Sequence, residues 1–220
     1  MTKLDIKELQ KARDQKSEHD SPQHNPRGID NKGSIRVEQD LVISHIADAP
    51  RDLVWKTLTE PEHLKHWWGP KGFIMQNLTL DLRPGGIFHY SMMSPEEKVI
   101  WGKFVYEEID PMKKLVFVNS FSDEKKGITR HPMSATWPLE VFNTLTLSEH
   151  SGRTTIMIIG HPINATETEL QTFNDGQESM QKGFEGTWEQ LDLYLEKIQY
   201  VPNVPNMDLE ESTILPKQPV

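Results

Sequence analysis

GQESMQKGFEGTWEQLDLYLEKIQ, residues 176–199, carries one continuous apolar stripe. Met180, Phe184, Thr187, Trp188, Leu191, Leu195 and Ile198 recur at spacings of three and four, the period of a helix with one buried face. Glu178, Lys182, Glu185, Glu189, Asp192 and Glu196 take the other face. No proline falls between Glu167 and Lys197, so the pattern predicts a long helix over about that span. The part from Glu178 to Gln199 would run roughly 33 Å, enough to cross a whole sheet.

The residues upstream supply the sheet. Phe73–Leu82, Ile87–Met93, Val99–Ile109 and Leu115–Phe121 read as strands. The turns between them are Arg83-Pro84-Gly85-Gly86, Ser94-Pro95-Glu96-Glu97 and Asp110-Pro111-Met112-Lys113. Leu139–Ser148 and Thr154–His161 form a last hairpin across Glu149-His150-Ser151-Gly152. Short strands with Pro/Gly turns predict an antiparallel sheet rather than parallel units. A first strand is expected over residues 34–46, where Val37, Gln39, Leu41 and Ile43 share one face. Ala49-Pro50 then opens a helix capped by Asp48, and a second short helix runs from about Pro61 to Trp67. The expected architecture is α+β: a curved antiparallel sheet of about seven strands around one long C-terminal helix, with two short helices after the first strand. A twisted sheet cannot meet a straight rod everywhere, so one end is expected to stay open as a cavity.

Outside that unit, residues 1–33 are read as an N-terminal extension. It holds a weak helix over Met1–Asp20, then the linker SPQHNPRGIDNKGS with two Pro and two Gly. The helix would either hang free or pack on a partner subunit. Residues 34–199 form the domain. Residues 200–220, with four Pro, form an extended tail. The net charge of -9 and the absence of a basic stripe argue against nucleic acid. The chain has no cysteine, which excludes disulfides and thiolate chemistry. No stretch approaches the roughly 18 apolar residues of a membrane span. The charged start has no apolar core of a secretory signal, so a cytoplasmic location is expected.

Three stretches then carry a family resemblance. APRDLVWKTLTEPEHLKHWWGPKGF (49–73), the turn DLRPGG (81–86) and GQESMQKGFEGTWEQLDLYL (176–195) resemble the Aha/CalC-like branch of the SRPBCC superfamily. NSFSDEKKGITRHPMSATWPLE (119–140) is similar to a bacterial subgroup of that branch. The resemblance spans about residues 34–198 and implies the START-like, helix-grip fold. The branch includes the C-terminal domain of the activator of heat-shock protein 90 ATPase and a self-sacrificing resistance protein. It implies a cavity and no catalytic set.

Candidate site residues follow from this picture. Trp67 and Trp68 stand before Gly69-Pro70 at the expected cavity mouth, as a plug or as an aromatic wall. The loop from Ser122 to Trp137 is longer than a hairpin needs and reads as a lid. It carries Asp123, Glu124, Arg130, His131 and Trp137, with His131 its one candidate general base. Glu107 and Glu108 precede it, and alternation sends one of them inward. His63 and His66 are three apart and without an evident third ligand, so they read as surface residues rather than a metal pair. Arg83 belongs to its turn or pairs with an acid such as Asp81. Phe88, Tyr90, Trp101, Phe117, Phe121, Phe142, Met180, Phe184 and Trp188 are expected mostly as core. The set expected around a ligand is Trp67, Trp68, Phe88, Trp101, Phe121, His131, Trp137, Met180, Phe184 and Trp188.

Three functions fit. The first is binding of a small apolar or aromatic molecule, with no cofactor and no metal. The second is a co-chaperone-like protein contact through the surface or tails. The third is a cyclase or hydrolase using His131.

Overall fold

The computed structural model describes residues 27–29, 35–37 and 40–200. The chain divides into two units, 1–39 and 40–220. In the first, Arg27–Ile29 (β1) pairs antiparallel with Ile35–Val37 (β2) as a two-stranded sheet. This corrects two expectations. Residues 27–29 were expected in a linker and form a strand. The strand expected over 34–46 is two strands in two different sheets. The helix expected over Met1–Asp20 and the tail beyond Tyr200 lie outside the described residues.

The second unit is a helix-grip fold. Its strands are Leu41–Ala47 (β3), Ile74–Leu80 (β4), Ile87–Met93 (β5), Val99–Asp110 (β6), Lys114–Ser122 (β7), Glu140–His150 (β8) and Arg153–Ile163 (β9). They form one seven-stranded sheet in the order β3-β9-β8-β7-β6-β5-β4. Every neighbouring pair is antiparallel. β4 to β9 are a meander, so the turns alone set their order. Two register shifts, at Met75/Asn77 and Tyr106/Glu108, insert bulges into β4 and β6. A bulge bends its strand and raises the local twist. The second also moves Glu107 and Glu108 out of alternation. Both are exposed, against the expectation that one turns inward. Glu108 pairs with Lys114 at 2.7 Å.

Arg51–Thr59 (α1) and Pro61–Leu64 (α2) bridge β3 to β4. Asp48 does not cap α1. Pro50 occupies that position, with no side-chain cap. The free N–H of Arg51 instead donates to the Glu149 carboxylate at 2.9 Å, which lies in the β8–β9 turn region. Val54, Thr57 and Leu58 bury the inner face.

The long helical pattern is broken. Glu167–Asp175 (α3) and Gln177–Gln199 (α4) meet at Gly176. Thr166 starts α3 with a capping box: its hydroxyl accepts from Glu169 N–H while the Glu169 carboxylate accepts from Thr166 N–H. α4 has 23 residues and runs roughly 34 Å. It lays Trp188, Leu191 and Leu195 against the inner face of the sheet, with Leu41, Ile43, Phe88, Tyr106, Phe117, Leu145 and Ile156 in the same core. Phe142 is not there. It packs against His161, ring centroids 5.3 Å apart, one residue out of step with the inward Val141 and Asn143.

Candidate functional site

Between the N-terminal half of α4 and strands β5 to β7 lies a cavity of about 690 Å³. Four segments wall it. Tyr90, Met92, Ile100, Gly102, Asn119 and Phe121 come from the sheet; Ser179, Met180, Gly183, Phe184 and Thr187 come from α4. Trp68, Gly69, Pro70 and Phe73 close one side, and His131 to Ser134 with Trp137 close another. Among the described residues that line it there is no Asp, Glu, Lys or Arg.

Two glycines keep this space open. A Cβ on Gly102 would lie 2.6 Å from the Tyr90 ring, so Gly102 lets that ring lie flat across its strand. A Cβ on Gly183 would meet nothing within 4 Å. Gly183 lines the cavity between Met180 and Thr187 on α4, and is itself exposed. Helix-interior glycine costs about 1 kcal/mol against alanine, so packing is not what places it here.

Behind the sheet face of the cavity lies a cluster of rings. Trp68 meets Phe88, Tyr90 and Phe104 edge-on, with centroids 6.0, 6.1 and 5.6 Å away. Phe104 stacks on Phe117 at 4.4 Å. Burial pushes the Tyr90 phenol up to about 12, and the hydrogen bond to Trp68 opposes this only in part. Tyr90 is a neutral donor at ordinary pH.

Each residue of the expected set has a definite place. Trp68, Phe121, His131, Trp137, Met180 and Phe184 line the cavity. Trp101 borders it too, but its register opposite Ser91 and Ser122 turns its ring to the other face. There it stacks on the buried His89 at 4.8 Å. Trp67, Phe88 and Trp188 are core residues outside the lining, 2, 2 and 4 % exposed. Trp67 donates its indole N–H to the Thr57 carbonyl at 3.0 Å, and so serves as the plug of the two readings. Trp188 stacks between His45, at 5.3 Å, and Trp67, at 6.2 Å. Its buried indole N–H has no hydrogen-bond partner among the described residues. Sequence reasoning did not assign Met92, Asn119, Met133, Ser179 or the two glycines to the site. Parity pointed to Tyr90, two residues beyond Phe88 on the same face, which was taken only as core.

His131 is half-buried, and burial lowers its pKa. Its Nδ1 accepts the Met133 N–H at 3.0 Å, so in the neutral ring the proton sits on Nε2. That leaves a hydrogen-bond donor rather than a base. Asp123, one of the candidate acids on the loop, is spent on the backbone, accepting from the N–H groups of Lys125 at 2.8 Å and Gly127 at 2.7 Å. His63 and His66 face Tyr194 instead of a metal. His63 Nδ1 lies 2.8 Å from its hydroxyl, and the His66 ring stacks on it at 5.2 Å. Among the described residues no three His, Cys, Asp or Glu side chains gather to hold an ion. Arg83 pairs with Asp81 at 2.9 Å.

A single long helix gripped by a seven-stranded sheet, with a void between them, defines a helix-grip protein of the SRPBCC type. The chain belongs to the family of activator of Hsp90 ATPase homolog 1-like proteins, whose model matches residues 48–196. No curated protein sequence matches it. Among solved structures, a Mycobacterium smegmatis protein is similar at 26% identity and a TM-score of 0.58, covering 71% of this chain and 90% of its own. A Nitrosomonas europaea protein is similar at 26% identity and a TM-score of 0.58, covering 74% and 98%. An Arthrobacter aurescens protein shares the fold at 23% identity and a TM-score of 0.58, covering 82% and 96%.

Proposed function

We propose that this chain binds one small, uncharged, apolar or aromatic molecule in the cavity beside α4. One observation carries the reading: about 690 Å³ of space, walled by aromatic and methionine side chains, contains no formally charged side chain. A carboxylate, phosphate or ammonium group would lose its hydration there without a counter-ion, which is costly. Tyr90 and neutral His131 leave donors for a polar edge on an otherwise apolar ligand. The volume is in the range that takes a drug-sized molecule. A cytoplasmic location and a single binding domain over residues 34–199 belong to the same proposal. No helix among the described residues is long and apolar enough to cross a membrane.

The test is native mass spectrometry of protein purified from cell extract, with released small molecules identified. Bound neutral aromatic or lipid-like species support the reading. Acidic metabolites bound in their place would contradict it.

A second reading is contact with a chaperone, favoured by the description of the matched family as activator of Hsp90 ATPase homolog 1-like proteins. A pull-down with and without residues 1–33 distinguishes it. The enzyme reading is the weakest of the three, because His131 holds its free nitrogen toward Met133 and no carboxylate lines the cavity.

A further inference from the structure

One wall of the cavity is a short loop with hydrogen bonds of its own. His131, Pro132, Met133, Ser134 and Trp137 all line the void, and Met133 is 81 % exposed. The loop is braced on itself. Ser134 N–H donates to the His131 carbonyl at 3.3 Å, and Trp137 N–H to the Ser134 carbonyl at 3.3 Å. Arg130 donates to the Trp137 carbonyl at 3.1 Å, joining the two ends of the loop.

Its fastening to the rest of the domain is unequal on the two sides. Arg130 also donates to the Glu169 carboxylate in the first turn of α3. The other oxygen of that carboxylate is committed, accepting from the N–H of Thr166 at 2.7 Å and from its hydroxyl at 2.9 Å. The Glu169 side chain is 8 % exposed and that of Arg130 is 48 % exposed. So the carboxylate is fixed in the body, while the guanidinium on the loop already stands half in water. When the two part, the arginine regains hydration and the glutamate keeps its bonds at the cap. The other ties include a Thr172–Thr136 hydroxyl pair at 2.9 Å, ring contacts of His131 with Phe121 and of Trp137 with Phe173, and, at the N-terminal edge, the Thr129 N–H donating to the Phe121 carbonyl at 3.1 Å.

We propose that Arg130 and Glu169 form a clasp that fixes this loop at the rim of the half-open cavity, and that its release widens the entrance without unfolding the sheet. The inference rests on the binding reading above and assigns Arg130 as a positioning residue, since it does not itself line the void. It separates access from affinity: the clasp governs how fast a ligand enters and leaves, and the aromatic wall governs how tightly it is held.

Amide hydrogen exchange on the full chain tests it, with Arg130→Gln, Glu169→Gln and the double variant beside wild type. Glu169→Gln keeps an oxygen for the Thr166 cap. Exchange over residues 128–139 is expected to rise roughly tenfold in each single variant and no further in the double, the scale of losing one hydrogen bond to a charged group. Exchange in β6 and β7 is expected to stay as in wild type. Unchanged exchange in the loop, or an equal rise across the sheet, overturns the clasp. Stopped-flow binding of N-phenyl-1-naphthylamine, a neutral aromatic probe, gives the second readout. Association and dissociation should both speed up in Arg130→Gln, with Kd little changed. Unchanged association and dissociation rates, or a change in only one of them that carries into Kd, overturns the clasp. If wild type takes up no probe at all, the binding reading fails, and the loop exchange still decides the clasp.

Discussion

The two halves of α4 carry the same apolar stripe and meet the sheet in opposite ways. From Trp188 onward the helix is seated: Leu191 and Leu195 are 0 and 2 % exposed, and Trp188 is sandwiched between His45 and Trp67. Before Thr187 the helix stands off, and Met180, Gly183 and Phe184 face a void. Helical periodicity is identical on both sides of that boundary. What changes is the surface opposite. β3 and Trp67 come up to the C-terminal half, whereas β5 to β7 line open space beside the N-terminal half. The stripe therefore says that a helix is gripped, and the far wall decides where the grip is loose.

Substitutions along the helix should read out this contrast directly. Leu191→Ala removes a fully enclosed side chain and should cost about 2–5 kcal/mol in urea unfolding. Met180→Ala, at the loose end, should cost under about 1 kcal/mol, because its neighbours do not enclose it. Equal losses would remove the distinction. Across the cavity, Gly102→Ala drives a methyl into the Tyr90 ring and should cost about 1–3 kcal/mol, with a change in near-ultraviolet circular dichroism. Gly183→Ala meets no atom and should gain up to about 1 kcal/mol from helix propensity alone.

A further effect concerns pH. The Thr166 N–H, then the Arg130 guanidinium and Thr166 hydroxyl, hold the Glu169 carboxyl down at about 2 from its usual 4.5. A depressed folded value stabilises the protein above the usual carboxyl range, and the contribution is lost as pH falls through the folded value. The Tm difference between wild type and Glu169→Gln should thus be constant above pH 5 and close between about pH 4.5 and 2. A gap that widens on acidification would contradict this.

The fold was legible because its signals are local and repeated. The stripe of α4 and the Pro/Gly turns of the meander are written in adjacent residues, and each strand of the meander lies within a few residues of its expected bounds. The breaks were harder to see. Gly176 interrupts the helical pattern without a proline, and no side-chain cap marks the start of the second helix. The tie of Arg51 to Glu149 spans 98 residues, so Asp48 looked like the cap for want of a visible rival. Trp67 and Trp68 are adjacent and chemically equal. Only the three-dimensional turn sends the first into the core and the second to the cavity. Trp101 was assigned by its type, whereas the register puts Gly102 on the inner face. An open space is marked in sequence by small residues, Gly102 and Gly183, and small residues attract no attention in a search for aromatic walls.

The most direct measurement is titration of the neutral probe N-phenyl-1-naphthylamine against wild type and Gly183→Leu. Gly183 lines the cavity and a Cβ there meets nothing within 4 Å, so a leucine is accommodated without displacing a neighbour. Saturable probe fluorescence in wild type, abolished or weakened at least tenfold in Gly183→Leu with the Tm unchanged or raised, is the predicted result. Equal binding by both proteins, or none by wild type, would contradict the claim that the N-terminal half of α4 borders a ligand site.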